Sequence, residues 1–499
     1  MWWLGVKDLW GRFLGVNPFL FVTFPFVLGI LISCEVDSLG VWFWALGLIF
    51  FGVTFLFRLV IYLLVFGFFA LGYFLGLTSQ PTRECPLEYR TNYIATIETT
   101  PLQKGRYNQA QARILAYRDT VTGEWCRPRE ACCLINVDTT LGVQISDVVL
   151  YRSTIYPFEE PYSSYYLNQH IEGRSYIYAL ERLDRSETFM HKIERRRREL
   201  SARLEEISAS DSNAVAMIQT LTLGVRDNLS GQTRSDYRTS GAAHLLAISG
   251  LHVGIIFALL NLIFYWTRYW ERLRWLRSVV VVLALWGYAL LCGGSASVLR
   301  AVTMFTIVEF GLLFSSRRSL FNTLLIAAFL MLLYNPRYLF DVGFRLSYLA
   351  MVGIALIYIP LRSRLAIKNR ILKRVVDVIL ISLSAQLLTA PLVLYTFGEI
   401  SIVSPLTNIL VWLTVPLIIL GGMLYLLCGS TIIATATLGV TQLQNSITHT
   451  IGTLEGVTYR QGELCVMELA IYYLIILLII IGVNLKTQKP QDTFSLTRK

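Results

Sequence analysis

Charge is what this 499-residue chain has least of: Asp, Glu, Lys and Arg make up 15% of it, against roughly 25% in an ordinary soluble domain. With 55% hydrophobic residues and a mean hydropathy of +0.54, that scarcity excludes a soluble enzyme and a disordered chain. A Walker A loop is missing, so no residue set here is built to hold ATP phosphates. No Cys-x-x-Cys pair or histidine cluster supplies zinc spacing, and neither a metal nor another cofactor is expected. No internal repeat is visible. What the chain does have is apolar runs of 17 to 25 residues, between Pro18 and Leu77 and again after Ala242. A helix needs about 20 such residues to cross a bilayer. The first run lacks a small-residue cleavage site and two more spans follow it, so it reads as a span and not a signal peptide.

Twelve spans are expected, at 18–34, 41–57, 59–78, 243–265, 278–298, 299–315, 320–334, 339–360, 375–397, 403–428, 431–447 and 466–483. The net charge of +11 then sorts by side. One set of alternate loops sums to +16 and all other residues to −5. Loops on the cytoplasmic side collect Lys and Arg, so membrane topology accounts for the basic balance better than a nucleic-acid footprint does. Both termini are placed in the cytoplasm and the insert 79–187 outside. That insert has a balance of −2 and short β-prone runs at Tyr93–Ile97, Ala112–Tyr117, Cys132–Val137 and Ile145–Tyr151. They point to a small barrel or sandwich, of which the oligonucleotide-binding (OB) barrel is the five-stranded option.

The expected fold is a polytopic α-helical membrane protein carrying a small all-β, OB-like external domain. Its parts are a three-span block (1–78), the β domain (79–187), an amphipathic interfacial helix at 188–212, a channel-type block (213–484) and a cytoplasmic tail (485–499). In the amphipathic stretch Ile193, Leu200, Leu204 and Ile207 share a helical face, with Arg195–Arg198 on the remaining surface, a pattern suited to anionic lipid. Cys85, Cys126, Cys132 and Cys133 lie in the external insert, where an oxidising compartment permits disulfides.

Ionisable groups inside spans are expensive and mark function by default. His244 and His252, eight residues apart, are expected about 80° apart on one helix, with Ser249 beside them. Gly250 and Gly254 form a GxxxG pair suited to close helix packing. Arg300 ends the small-residue run Cys292–Arg300. Asp341 and Arg345, at i,i+4, are expected to pair. Gln386, Pro391, Glu399, Pro405 and Pro416 interrupt the later spans, as broken helices around a cavity do.

The segments Leu223–Arg238 (LGVRDNLSGQTRSDYR), His244–Ile255 (HLLAISGLHVGI), Ala296–Met304 (ASVLRAVTM), Asp341–Ile354 and Ala385–Pro405 occur in the order and spacing of one family. The chain resembles the ComEC family of competence proteins, whose members carry DNA across the inner membrane in natural transformation. The resemblance also takes in the external block, loosely, through Tyr166–Ile171 (YLNQHI). It implies a single-stranded DNA channel in the inner membrane, with His244, Ser249, His252, Arg300, Asp341, Arg345, Gln386 and Glu399 as lining candidates. Implied partners are an external DNA receptor, a separate nuclease, and a separate cytoplasmic motor or DNA-binding proteins. Many family members carry a metallo-β-lactamase-like domain proposed to degrade one strand, but no HxHxDH occurs in these residues, so no enzyme is expected within them. Three rivals stand beside the channel. A small-molecule transporter would show repeated halves. An intramembrane hydrolase built on His244, His252 and Ser249 would need a third group to orient its base. The remaining rival is a scaffold whose β block only captures DNA.

Overall fold

A computed structural model describes residues 20–35, 59–78, 83–159, 162–207, 211–313, 320–454, 456–460 and 465–485. They form two compact units: Leu75–Arg203 with Leu290–Gly293, and the rest. Helices α1 (Leu20–Glu35) and α2 (Leu59–Thr78) come first. They cross where Gly29 and Gly72 leave no room for a Cβ: one would strike the Phe69 carbonyl oxygen, the other that of Phe26. The span expected at 41–57 lies outside the described residues.

The β unit contains β1 (Arg90–Ile97), β2 (Leu102–Lys104), β3 (Tyr107–Arg118), β4 (Trp125–Cys126), β5 (Cys132–Asp138), β6 (Asp147–Tyr156), α3 (Tyr162–Leu167), β7 (Ile171–Ile177), β8 (Leu180–Arg185) and α4 (Phe189–Glu205). Alternation along β3 turns Ala110, Ala112 and Ile114 inward, against Tyr93, Ile97, Cys133, Ile135, Tyr151 and Ile177. Five strands close into a ring in the order β1-β3-β5-β7-β6 and back to β1. Only β5 and β7 run parallel; the other four pairs are antiparallel. Four of the five were expected from the sequence. The fifth, β7, contains Glu172, Gly173 and Arg174, which hide its β character. Glu172 is there to accept the backbone N–H groups of Glu84 (2.7 Å) and Cys85 (2.9 Å), and burial raises its carboxyl above the usual range.

The disulfide permitted by the sequence is not formed: Cys85, Cys126, Cys132 and Cys133 are all free. Neighbours on one strand, Cys132 and Cys133 point to opposite faces. Cys133 Sγ lies in the core 3.5 Å from the Tyr151 hydroxyl, where burial pushes its thiol up to about 12. The arginine run of α4 is largely neutralised within the unit. Arg195 pairs with Glu187 (2.6 Å), Arg196 with Glu199 (2.5 Å), and Arg197 and Arg198 both with Glu194 (3.0 Å each).

The helical unit continues with α5 (Ser212–Leu223), α6 (Gly231–Thr239), α7 (Gly250–Ile263), α8 (Glu271–Leu291), α9 (Ala296–Leu313), α10 (Leu320–Tyr334), α11 (Val342–Arg362), α12 (Arg370–Phe397), β9 (Glu399–Ser401), α13 (Ser404–Cys428), α14 (Thr431–Gly452), β10 (Thr458–Arg460) and α15 (Val466–Leu485). Among the described residues each expected span other than 41–57 overlaps a helix, although 278–298 runs past the end of α8 into the start of α9. Segments of α8, α11, α12 and α13 are long and apolar enough to cross a membrane, and α7, α10 and parts of α1, α2 and α15 are shorter apolar helices. This is a membrane protein with a β domain.

Two expectations need correcting here. The segment 243–265 is not one helix. A single 3₁₀ turn at Ala243–Leu245 precedes α7, which begins at Gly250 because Ser249 caps it, its Oγ accepting the Leu251 N–H at 3.3 Å. The later prolines do not break helices either. Pro391 and Pro416 lie inside the continuous α12 and α13, while Pro405 takes the first turn of α13, where its missing N–H costs nothing. The irregular turn falls elsewhere, as a π turn at Ile354–Tyr358 inside α11.

Candidate functional site

Five helices form a closed circuit of neighbours, α7–α9–α11–α12–α13 and back to α7. Small residues make the first joint. Gly250 faces the Ala301 Cβ and Gly254 the edge of Phe305, where a Cβ would lie 3.3 Å from the ring, and Phe257 stacks on Phe305 at 4.7 Å. Arg300 makes the second joint. Its Nη2 donates to Ser297 Oγ (3.1 Å) and its Nη1 reaches the Gly343 carbonyl (3.5 Å), while the guanidinium covers the rings of Tyr348 (5.5 Å) and Phe344 (5.9 Å). At 2% exposure this cation sits between α9 and α11, not at a mouth. The third joint is a glycine: a Cβ on Gly353 would strike the Ser384 carbonyl oxygen, so α11 and α12 cross with backbones nearly touching. Asn408 Nδ2 donates to Ser382 Oγ across the fourth, between α12 and α13.

On this circuit Ser249 and His252 interlock. His252 Nδ1 accepts the Ser249 backbone N–H (3.1 Å) and lies 2.9 Å from Ser249 Oγ. An accepting Nδ1 puts the proton of a neutral imidazole on Nε2. That Nε2 is fully buried and meets no hydrogen-bond partner among the described residues. His244 is exposed, in the 3₁₀ turn before α7.

The expected Asp341–Arg345 ion pair is not made. Asp341 Oδ1 is used to cap α11, accepting the Phe344 N–H at 2.7 Å, and Arg345 Nε turns back to the Leu339 carbonyl (2.6 Å) with its guanidinium over Phe340 (5.5 Å). Gln386 is also committed, donating to the Ser401 carbonyl (2.9 Å) and so tying β9 to α12. Glu399 is a hub with two arginines on it, Arg238 of α6 and Arg460 of β10. Beside this end of the circuit Gly241, at φ +82°, packs on Ser401 and Ser404, and Thr407 Oγ1 donates to the Ser240 carbonyl (2.7 Å).

Several polar groups escaped the sequence reading. Arg277 and Glu309 pair at 2.8 Å while wholly or almost wholly buried, and Asn261 and Ser278 complete their shell. Arg277 was assigned to a loop, and Glu309 was overlooked although it is the lone acid of its span. On α14, Thr437, Thr441, Gln444 and Thr448 form a buried stripe at helical spacing. Gln444 accepts from Thr414 (2.5 Å) and donates to the Tyr237 hydroxyl (2.9 Å), which donates to Asn445 (2.7 Å). Burial pushes the Tyr237 phenol up to about 12, keeping it a neutral donor. His449, isolated in sequence, meets Asp236 at 2.8 Å.

In the β unit the outer face of β3, β5 and β7 carries Gln109, Asn136 and Tyr176 in one row, with Gln109 donating to Asn136 at 3.1 Å. Tyr107 meets Tyr176 and Tyr178 edge-on, at 5.7 and 6.2 Å between centroids, and Tyr178 is 66% exposed.

The competence protein family matches residues 221–488, the stretch that supplies every helix of the circuit. ComE operon protein 3 of Bacillus subtilis (strain 168) is 30% identical over 249 residues, which cover 50% of this chain and 30% of that relative. The chain thus spans under a third of the length of the curated relative it matches. No solved structure matches. With more than half of its residues matched and the matched residues closing one circuit of helices, the chain belongs to the competence protein family.

Proposed function

We propose that this chain conducts single-stranded DNA across the cytoplasmic membrane during natural transformation, as a channel through which a separate motor draws the strand. The observation that carries the reading is the closed circuit α7–α9–α11–α12–α13. It holds the segments from His244 to Ile255, Ala296 to Met304, Asp341 to Ile354 and Ala385 to Pro405, which are distant in sequence. A polyanion crossing hydrocarbon needs fixed donors and positive charge in place of hydration. Arg300 and the free Nε2–H of His252 on this circuit are groups of that kind, and Arg345 adds a second cation. The relative's name, ComE operon protein 3, and the family description point the same way.

The β unit suits the task of receiving the strand outside the membrane. Its ring order, with a single parallel pair between the third and fifth strands of the ring, supports the OB-like reading. The tyrosine and amide face offers stacking platforms and base-edge partners on its second, third and fifth strands. Because the balance of the insert is −2, stacking leads and phosphate attraction follows.

The test is uptake of labelled DNA in cells carrying Arg300→Gln, Arg300→Lys or His252→Gln at wild-type surface level. Gln at 300 and at 252 is expected to leave DNA bound outside and absent from the cytoplasm, with Lys at 300 restoring part of the import. Wild-type import by both Gln variants would remove the circuit from the DNA path.

A further inference from the structure

Glu399 holds two arginines from two other elements. Its Oε1 lies 2.5 Å from Arg238 Nε, on the last turn of α6, and its Oε2 3.2 Å from Arg460 Nε, its direct partner across the β9–β10 ladder. The Glu399 side chain is 16% exposed, but those of Arg238 and Arg460 are 55% and 75% exposed. Both ion pairs run through Nε, the donor nearest each stem, and both arginine side chains stay more than half exposed. Two cations on one anion leave a net positive charge. The other carboxylate nearby, Asp236, is turned to His449 (2.8 Å) and Gln232 (2.8 Å) and not to either arginine. Position adds to the argument. Through Gln386 on the Ser401 carbonyl, and Gly241 packed on Ser401 and Ser404, the hub stands at one end of the five-helix circuit.

We propose that Arg238 and Arg460 are a clamp for a phosphodiester of single-stranded nucleic acid, and that Glu399 fills it until the strand displaces the carboxylate. The inference rests on the channel reading above and gives that channel a gripping point at its mouth. A carboxylate bridging two guanidiniums presents two oxygens in the geometry that a phosphodiester also presents, and arginine binds both in the same way. Both arginines are more than half exposed and water screens their hold on Glu399, so a strand bringing several phosphates at once competes with it. No side chain has to be created for the exchange. Glu399 swings away from the two guanidiniums and phosphate oxygens take its place.

The experiment is fluorescence anisotropy of labelled dT20 with the full chain in phosphatidylcholine nanodiscs, over a salt titration. In Glu399→Gln both guanidiniums lose their competitor. Affinity is expected to rise about fivefold while the log–log salt slope keeps its wild-type value, since both arginines neutralise phosphate in either chain, at about 0.7 each. Arg238→Gln and Arg460→Gln are each expected to weaken binding and flatten the slope by about 0.7. These two variants keep the idea testable if Glu399→Gln fails to fold. Unchanged slopes in both arginine variants, or weaker binding in a folded Glu399→Gln chain, would overturn the clamp. A Glu399→Gln gain seen with phosphatidylglycerol vesicles but not with dT20 would reassign the site to a lipid headgroup and also overturn it. Binding needs no translocation, so the two readings fail separately. Unaltered slopes in a chain that imports DNA remove the clamp alone, whereas the expected slopes in a chain that never delivers DNA to the cytoplasm remove the channel alone.

Discussion

Glu309 shows no exposed surface, and the cation that answers it, Arg277, is 6% exposed. Neither charge has water to fall back on, so each depends on the other, on Ser278 and on Asn261. Removing one member of such a pair leaves a buried charge uncompensated, at about 3–5 kcal/mol, whereas replacing both by apolar residues of similar volume is close to neutral. Glu309→Gln and Arg277→Met are therefore expected to lower the thermal midpoint of the detergent-solubilised chain sharply, and Arg277→Met with Glu309→Leu to recover most of the loss. A double variant as unstable as the singles would mean that the charges do more than neutralise each other. The same scale explains which residues were legible. His252, Arg300 and Arg345 announced themselves as polar letters in apolar runs. Their partners did not, because Gly343 and Leu339 contribute carbonyl groups that no letter of the sequence reveals. The spacing of Asp341 and Arg345 suggested a pair, but a carboxylate at the start of a helix found unpaired N–H groups nearer than a guanidinium.

Among the elements, the spans were readable because a helix in hydrocarbon must be apolar over a fixed length, whatever it packs against. Their crossings were not, since these are set by which glycine meets which backbone. GxxxG at Gly250 and Gly254 was visible, yet the tightest crossing of the circuit is at Gly353, which belongs to no GxxxG pair. This ordering can be measured. At Gly353 an added methyl meets the Ser384 carbonyl and cannot be absorbed by a side-chain rotation, so Gly353→Ala is expected to cost about 1–3 kcal/mol. At Gly250 the nearest atom is the Ala301 Cβ, 3.8 Å away, so Gly250→Ala is expected to be neutral or slightly stabilising by helix propensity. Unfolding midpoints in one detergent compare them directly, and equal losses would contradict the crossing geometry. The segment before α7 shows the opposite limit. Its composition reads as continuous span, but one serine at the right place starts the helix seven residues late.

For the molecule as a whole, sidedness decides what the circuit does. Lys368 precedes α12 and Glu399 follows it, and a helix of 28 residues is about 42 Å long, more than the roughly 30 Å of hydrocarbon. The two ends of α12 must then lie on opposite sides of the membrane. The segment Leu361–Arg374 carries the largest basic excess of any loop, six positive charges and no acid, and on that excess we propose a cytoplasmic position for it. A cysteine at Lys368 is accordingly expected to react with an impermeant maleimide only after the cells are opened, and one at Thr453 or Gln169, both exposed, in intact cells. With that sidedness the arginines on Glu399 would face outward, the side from which the proposed channel receives its strand. If Lys368 is labelled from outside, α12 is inverted. Glu399 then stands at the exit, the basic loop becomes the first surface the DNA meets, and a strand held by Arg238 and Arg460 would be one leaving the channel.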